Sequence, residues 1–234
     1  LARRLRSLQL SSFSQYLEFI STNKDEEIIF ANALTTNLTS FFRENHHFEY
    51  LKEYILASNE PLKIWCAACS TGEEPYSIAM TVANATGTLT PNVKIYASDI
   101  DSNVLEKAQR GVYAIDKIEA LSREQKKLFF FRGKGSNAGY VKVIPELRDL
   151  VQFSQINLTN EINQHAIPDQ LDIIFCRNGM IYFNKETQGQ VLNRLANKLK
   201  IGGLYFAGHS ENFYNQYKKL KSVGNTIYQR VGTN

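Results

Sequence analysis

Apolar and polar positions along the chain alternate between two periods. Residues 64–68 form an apolar run with no polar alternation, as a strand covered on both faces of a parallel sheet requires. Residues 93–97, 171–176 and 204–207 supply three more strands. Between them the spacing becomes helical. Ile78, Ala79 and Val82 predict a helix over 75–86, with Pro75 in the first turn, where its missing N–H costs nothing. A second helix over 102–110 ends at Gly111. A long amphipathic helix carrying Val191, Leu192, Leu195 and Leu199 is stopped by Gly202-Gly203. Residues 219–223 and 226–231, joined across Gly224-Asn225, close the chain as a hairpin. Alternating β and α elements of this kind predict one doubly wound α/β sheet with an antiparallel edge strand.

The flanking segments read differently. Residues 1–34 are helical in pattern, with Arg3, Arg4 and Arg6 on a solvated opening turn and Ile28, Ile29, Phe30 and Leu34 as apolar anchors. Residues 35–44, T-T-N-L-T-S-F-F-R-E, are denser in hydrogen-bonding groups than a core helix needs. If they form a helical turn, Asn37, Thr39 and Arg43 share a face. Asn45 caps the next helix, whose buried stripe is Phe48, Leu51 and Ile55, and Asn59-Glu60-Pro61 ends it. Ser122 and Gln125 make a capping box ahead of a short helix with Leu128, Phe129 and Phe130. From 132 to 156, R-G-K-G-S-N-A-G is followed by apolar runs at 140–144 and 150–156, broken at Pro145. This reads as a small β excursion whose exposed edge can accept a peptide.

The loop after the first strand, C-S-T-G-E-E-P, narrows the ligand. A dinucleotide site places G-x-G-x-x-G there so that pyrophosphate meets bare backbone. Here one glycine is followed by Glu73 and Glu74, whose charges repel a pyrophosphate and favour a ligand with a cationic part. S-adenosylmethionine, with its sulfonium and ammonium, fits; the alternative is that both glutamates only cap the helix. Asp99 falls at the tip of the second strand, where α/β nucleotide folds place an acid on ribose hydroxyls, and Asp101 or Ser102 caps the following helix. Arg177, Asn178 and Tyr182 lie just beyond the strand over 171–176. Gly208 to Asn212 form a polar loop beyond the last of these strands.

Composition changes this picture little. The 234 residues are 43% hydrophobic and 21% charged, and no apolar run is long enough for a membrane span. A net charge of +4 is too mild to argue nucleic-acid binding. Three cysteines suit a reducing cytoplasm. Cys66 and Cys69 form a C-x-x-C without a second ligand pair, so no metal is expected. Leu1 in place of Met suggests that the natural N-terminus lies upstream. His46 and His47 read as surface or capping residues; His209 falls at a strand tip near the site, where support of the site is the less favoured of its two readings.

Five stretches together, T-T-N-L-T-S-F-F-R-E, A-C-S-T-G-E-E-P-Y-S-I-A, A-S-D-I-D, F-C-R-N-G-M-I-Y-F and F-A-G-H-S-E-N-F, resemble the chemotaxis receptor glutamate methyltransferases, the CheR-type family. The resemblance implies a Rossmann-like S-adenosylmethionine-dependent methyltransferase sheet with an antiparallel C-terminal hairpin, an inserted small β-subdomain at about 132–153 and a shortened N-terminal helical domain. The expected division is 1–58 and 59–234. It implies Asn37, Thr39, Arg43, Glu74, Asp99, Asn157, Leu158, Arg177 and Asn178 as cofactor-binding residues, and Arg43 and Tyr182 as catalytic ones. It further implies glutamate methyl ester formation on cytoplasmic receptor helices, S-adenosylhomocysteine as product, and tethering of a receptor C-terminal pentapeptide to the β-subdomain. Neither nucleic acid nor direct membrane insertion is expected. Gly179 departs from the family, which more often has an apolar residue such as valine there. The rival readings are a methyltransferase for another substrate and a non-catalytic S-adenosylmethionine-binding signalling module.

Overall fold

The computed structural model describes residues 2–34, 37–58, 60–163, 165–211, 213 and 218–232. Helices α1 (Ala2–Ser7), α2 (Phe13–Thr22) and α3 (Lys24–Leu34) open the chain. Ser12 caps α2, and Asn23 accepts the Glu26 N–H at the start of α3. These helices enclose a polar knot: the Tyr16 hydroxyl and the Arg4 Nε both donate to the buried Glu26 carboxylate, at 2.7 and 2.8 Å. Arg4 is therefore not simply solvated surface, as the basic opening turn suggested. Thr35, Thr36, Asn59 and Asn212 of the sequence motifs, and the side chains of Arg3, Ile28 and Leu34, lie outside what is described.

Helix α4 (His46–Ala57) follows, then β1 (Leu62–Ala67), α5 (Glu73–Thr86), β2 (Val93–Asp99) and α6 (Ser102–Arg110). Asn45 is itself helical and makes no capping bond, donating instead to Glu49. Phe48, Leu51 and Ile55 are buried as the periodicity predicts, in one cluster with Ile64 of β1 and Ile78 and Val82 of α5. The expected boundary at 58/59 thus cuts a packed layer: α4 covers the sheet and does not belong with the N-terminal helices.

Next come β3 (Val112–Ala114), α7 (Arg123–Phe129), β4 (Phe130–Arg132), β5 (Tyr140–Val143), α8 (Pro145–Asp149) and β6 (Val151–Gln155). The small antiparallel sheet has the order β3-β5-β4, so its strands come from 112–143. Residues 151–155, assigned from sequence to the β excursion, instead pair in parallel with β2, from Ile95 opposite Val151 to Asp99 opposite Gln155. The alternation in V-Q-F-S-Q suits an edge of either sheet, and pairing decided between them. The capping box at Ser122 and Gln125 forms with both bonds.

The chain finishes with β7 (Leu171–Cys176), α9 (Lys185–Lys198), β8 (Leu199–Ala207), β9 (Leu220–Gly224) and β10 (Ile227–Arg230). Helix α9 stops before Gly202-Gly203, because the buried Leu199 already enters the strand and the glycines lie within it. The main sheet has the order β6-β2-β1-β7-β8-β10-β9. Its antiparallel strand is β10, which lies inside the sheet, and β9 takes the edge. Ile227 and Tyr228 of β10 are buried, whereas β9 is mostly exposed, so the more apolar strand holds the inner place. Asn225 and Thr226, both left-handed, make the two-residue turn, one position later than the sequence suggested.

His47 belongs to the buried interior, contrary to the surface reading. Its Nε2 lies 3.1 Å from the Asn225 carbonyl and 3.0 Å from the Thr226 hydroxyl, and Phe206 packs edge-on against the ring. Burial, with Arg177 and His46 nearby, pushes its pKa down to about 3. The unfolded chain accepts this proton near pH 6.5 and the folded chain refuses it, so stability falls as pH drops from 6.5 toward 3 and is level above 6.5. Between pH 7.5 and pH 5 the parent protein should lose about 2 kcal/mol that His47→Gln does not lose. Urea unfolding of both proteins at the two pH values checks this, and parallel losses would refute it.

Candidate functional site

Strands β2, β1 and β7 end side by side, and their C-terminal tips border a cavity of about 570 Å³. Parallel sheets offer ligand sites at such an edge because each strand delivers a loop there. The floor is the loop after β1. Ala68, Ser70 and Gly72 are all left-handed, with φ of 63°, 49° and 96°. At Gly72 a Cβ would come within 2.8 Å of the Ala108 Cβ and the Tyr113 hydroxyl, so this position needs glycine. Left-handed Ala and Ser cost of order 1–3 kcal/mol each, and such strain concentrates where a ligand is met.

Asn37, Thr39 and Arg43 line the cavity, although 37–40 has no regular secondary structure and is not a helical turn. The segment is fixed by hydrogen bonds: Asn37 Nδ2 donates to Asp101 at 3.0 Å, Ser70 Oγ to the Asn37 carbonyl, and the Phe42 N–H to Ser77 of α5 at 2.9 Å. Arg43 reaches back to the Leu38 carbonyl at 3.1 Å. Asn157 and Leu158 line the cavity too, with Ile100 and Ile156.

Asp99 ends β2 and is 8% exposed. Its two oxygens accept the N–H groups of Ser70 (2.8 Å) and Asp101 (3.0 Å). Asp101 does cap α6. An ionised carboxylate has about four acceptor sites, so Asp99 keeps capacity for a pair of hydroxyls. Burial raises its pKa, which those backbone bonds oppose.

Glu73 and Glu74 part company. Glu73 is buried and accepts from Thr71 at 2.6 Å; it does not reach the cavity. Glu74 does line it, but one oxygen takes Arg177 Nη1 at 2.7 Å and the other the Cys66 thiol at 3.1 Å. The charge assigned from sequence to a cationic ligand is thus already shared with an arginine. Burial pushes the Cys66 and Cys69 thiols well up from their ordinary range.

Arg177, Asn178 and Tyr182 follow β7 on the same wall. The Arg177 Nη atoms are committed to Glu74, to Glu44 (3.2 Å) and to the Arg43 carbonyl, and its guanidinium lies 5.7 Å from the Phe48 ring centre. Asn178 is left-handed, φ 59°. Tyr182 is 57% exposed. A Cβ at Gly179 would meet the Ala68 Cβ at 3.0 Å, so this chain's glycine brings two strand tips close and does not simply loosen the loop. Sequence reasoning missed Glu27 and Phe30 of α3, which line the cavity, and Glu44 and Glu211, which stand behind its wall on Arg177 and the Asn178 N–H. Glu44 and Glu211 were inside quoted motifs, but nothing local distinguishes an acid that faces protein from one that faces ligand.

The donor set fits S-adenosylmethionine: an acid with spare acceptor capacity at the β2 tip, apolar Ile100, Ile156 and Leu158 beside it, and the Glu74 carboxylate after the β1 loop. Sheet order and cavity define a Rossmann-like methyltransferase. The chain belongs to the CheR methyltransferase family: residues 37–229 match its domain described as CheR methyltransferase, SAM binding domain, and residues 1–35 the CheR methyltransferase, all-alpha domain. Chemotaxis protein methyltransferase 2 of Pseudomonas aeruginosa is 51% identical over 231 residues, covering 97% of this chain and 82% of that protein. The chemotaxis protein methyltransferases of Salmonella typhimurium and Escherichia coli are 48% and 46% identical, each over 97% of this chain and 79% and 80% of theirs. S-adenosylmethionine is accordingly the cofactor.

Replacing Asp99 removes a charged acceptor, and hydrogen bonds to charged groups contribute about 1.5–3 kcal/mol each. Calorimetric titration with S-adenosylmethionine should show affinity reduced roughly 10- to 100-fold or more in Asp99→Ala. Parental affinity in a folded variant would remove Asp99 from the site.

Proposed function

We propose that this methyltransferase esterifies glutamate side chains on the cytoplasmic helices of chemotaxis receptors, in sensory adaptation. The observation carrying the reading is that Arg43 and the half-exposed Tyr182 line the same cavity as Asp99, Asn157 and Asn178. A side chain on another protein can reach such a wall from solvent. The relatives' names, which specify chemotaxis, support the receptor as substrate. The proposed compartment is the cytoplasm; among the described residues no helix is long and apolar enough to cross a membrane.

S-adenosylmethionine supplies a methyl group on a sulfonium and leaves as S-adenosylhomocysteine. The acceptor glutamate is ionised at neutral pH, so the chain has no proton to remove. What remains is alignment and exclusion of water around an anion and a cation that neutralise each other. In our reading Asp99 holds the ribose hydroxyls and Asn157 and Leu158 the adenine end. Asn37, Thr39, Glu74, Arg177 and Asn178 complete the cofactor wall, with Arg177 contributing through Glu74. Tyr182 borders the transfer point, and Arg43 turns the incoming carboxylate toward it. Arg43 already shares a donor with the Leu38 carbonyl, which keeps the carboxylate pairing loose; a rigid pair would over-stabilise the ground state.

The finer partner proposal concerns the small sheet. Strands β3 and β4 are both edges, flanking the central β5, and Phe131 and Tyr140 are exposed beside them. Such edges have main-chain groups to offer a receptor's C-terminal pentapeptide as an added strand.

With labelled cofactor and receptor cytoplasmic fragments, the label should enter the receptor and be released as methanol by mild base. Base-stable label would mark a different acceptor chemistry and overturn the ester. Arg43→Ala and Tyr182→Phe should each lower transfer tenfold or more; near-parental turnover would strip the residue of its role. A receptor lacking its last five residues should bind several-fold more weakly to the parent enzyme, and equal binding would reject the tether.

A further inference from the structure

Glu211 stands at the tip of β8, 4% exposed, and among the described residues no cation pairs with it. A buried carboxylate must find compensation for lost water, and this one finds it in backbone alone. Oε2 accepts the N–H groups of Asn178 at 2.9 Å and Gly208 at 2.8 Å, and Oε1 accepts the Met180 N–H at 2.8 Å. Its own N–H donates to the Gly208 carbonyl at 2.9 Å, which closes the turn.

Two of the three donors belong to the segment after β7 that presents Asn178 and Tyr182 to the cavity. Asn178 is left-handed, a conformation asparagine adopts more readily than most residues but which is fixed here by what the segment's N–H groups bond to. Contact from the other side is equally close. A Cβ on Gly208 would come within 2.5 Å of Asn178 Nδ2 and 2.9 Å of its backbone nitrogen. The two strand tips therefore meet with one carboxylate clasping the backbone of both.

We propose that Glu211 is a positioning residue for methyl transfer: it fixes the 178–182 segment so that Tyr182 faces the reacting groups. This rests on the function proposed above. In this reading the ribose and adenine are held at Asp99, Asn157 and Leu158, and Asn178 is the one cofactor-wall residue in the clasped segment, so Glu211 acts more on the rate than on binding. Its partners are N–H groups only, so an amide in its place brings donors against donors and releases at least one of them.

The test is a double-mutant cycle measured with S-adenosylmethionine and receptor fragments. In Glu211→Gln, kcat should fall tenfold or more while the Kd for S-adenosylmethionine stays within about threefold. Combined with Tyr182→Phe, the double variant should be no more than twofold slower than the slower single variant, since both remove the same alignment. A merely structural role would lower affinity and rate together and multiply with Tyr182→Phe. Either that pattern or a Glu211→Gln enzyme above half the parental rate overturns the proposal. If Glu211→Gln does not fold, Gly208→Ala presses on the same Asn178 contact, and the same outcomes apply to it. A parent that transfers no methyl group overturns the functional reading instead. A Tyr182→Phe enzyme at the parental rate removes only the Tyr182 role, and Glu211 is then judged by its own rate loss at unchanged affinity.

Discussion

One buried guanidinium joins the parts of this protein that would otherwise be separate walls. Arg177 leaves the tip of β7, pairs with Glu74 in the first turn of α5, and reaches Glu44 and the Arg43 carbonyl in the segment before α4. Its side chain is 1% exposed. Two carboxylates face one arginine. Burial is the largest single influence on Glu44 and pushes its carboxyl up, but Arg177, the His209 N–H and the neighbouring histidines together leave it below its usual range. A buried charge deprived of one partner costs about 3–5 kcal/mol, so each arm depends on the others being present. The cavity's shape follows from that mutual dependence more than from the general apolar core.

Backbone strain is distributed around the same centre. Phe42, Glu44, Ala68, Ser70 and Asn178 are left-handed without being glycine, and all lie at the ends of segments that meet at the cavity. The centre of the sheet is ordinary in its geometry, with β1 and β2 in continuous parallel register from Leu62 opposite Val93 to Ala67 opposite Ser98. A regular platform thus holds irregular loops, with side-chain bonds such as Ser70 N–H to Asp99 fixing what the backbone alone would not choose.

The sheet was legible because its signals are local. Ile64, Trp65 and Cys66 announce a buried strand, Gly111 a helix end, and Ser122 with Gln125 a capping box that forms in full. Pairing was not legible, since it is decided between distant segments. Nothing in V-Q-F-S-Q says that it joins β2, and the apolar Ile227 and Tyr228 show that 227–230 is covered but not which strands flank it. Asp172 shows the same limit. It interrupts an apolar strand, and only the fold supplies its partners, the Lys63 N–H at 2.7 Å and Lys200. For the cavity, residue types and motifs pointed to the right side chains, while the sharing of Glu74's charge with Arg177 depended on a contact between positions far apart in sequence.

The inner position of β10 has a consequence for how the protein reaches its native state. Residues 227–230 emerge from the ribosome after every other main-sheet strand, yet they must lie directly against β8. Until they do, β8 has an open edge and the β9 strand has no neighbour to dock on. His47 also waits, since its acceptors are in the Asn225–Thr226 turn, and with it waits the loop carrying Arg43 and Glu44. Closing contacts across most of the chain length is slow relative to local folding. The native setting of the loop that carries Arg43 and Glu44 therefore draws on contacts that translation supplies only with its last hairpin.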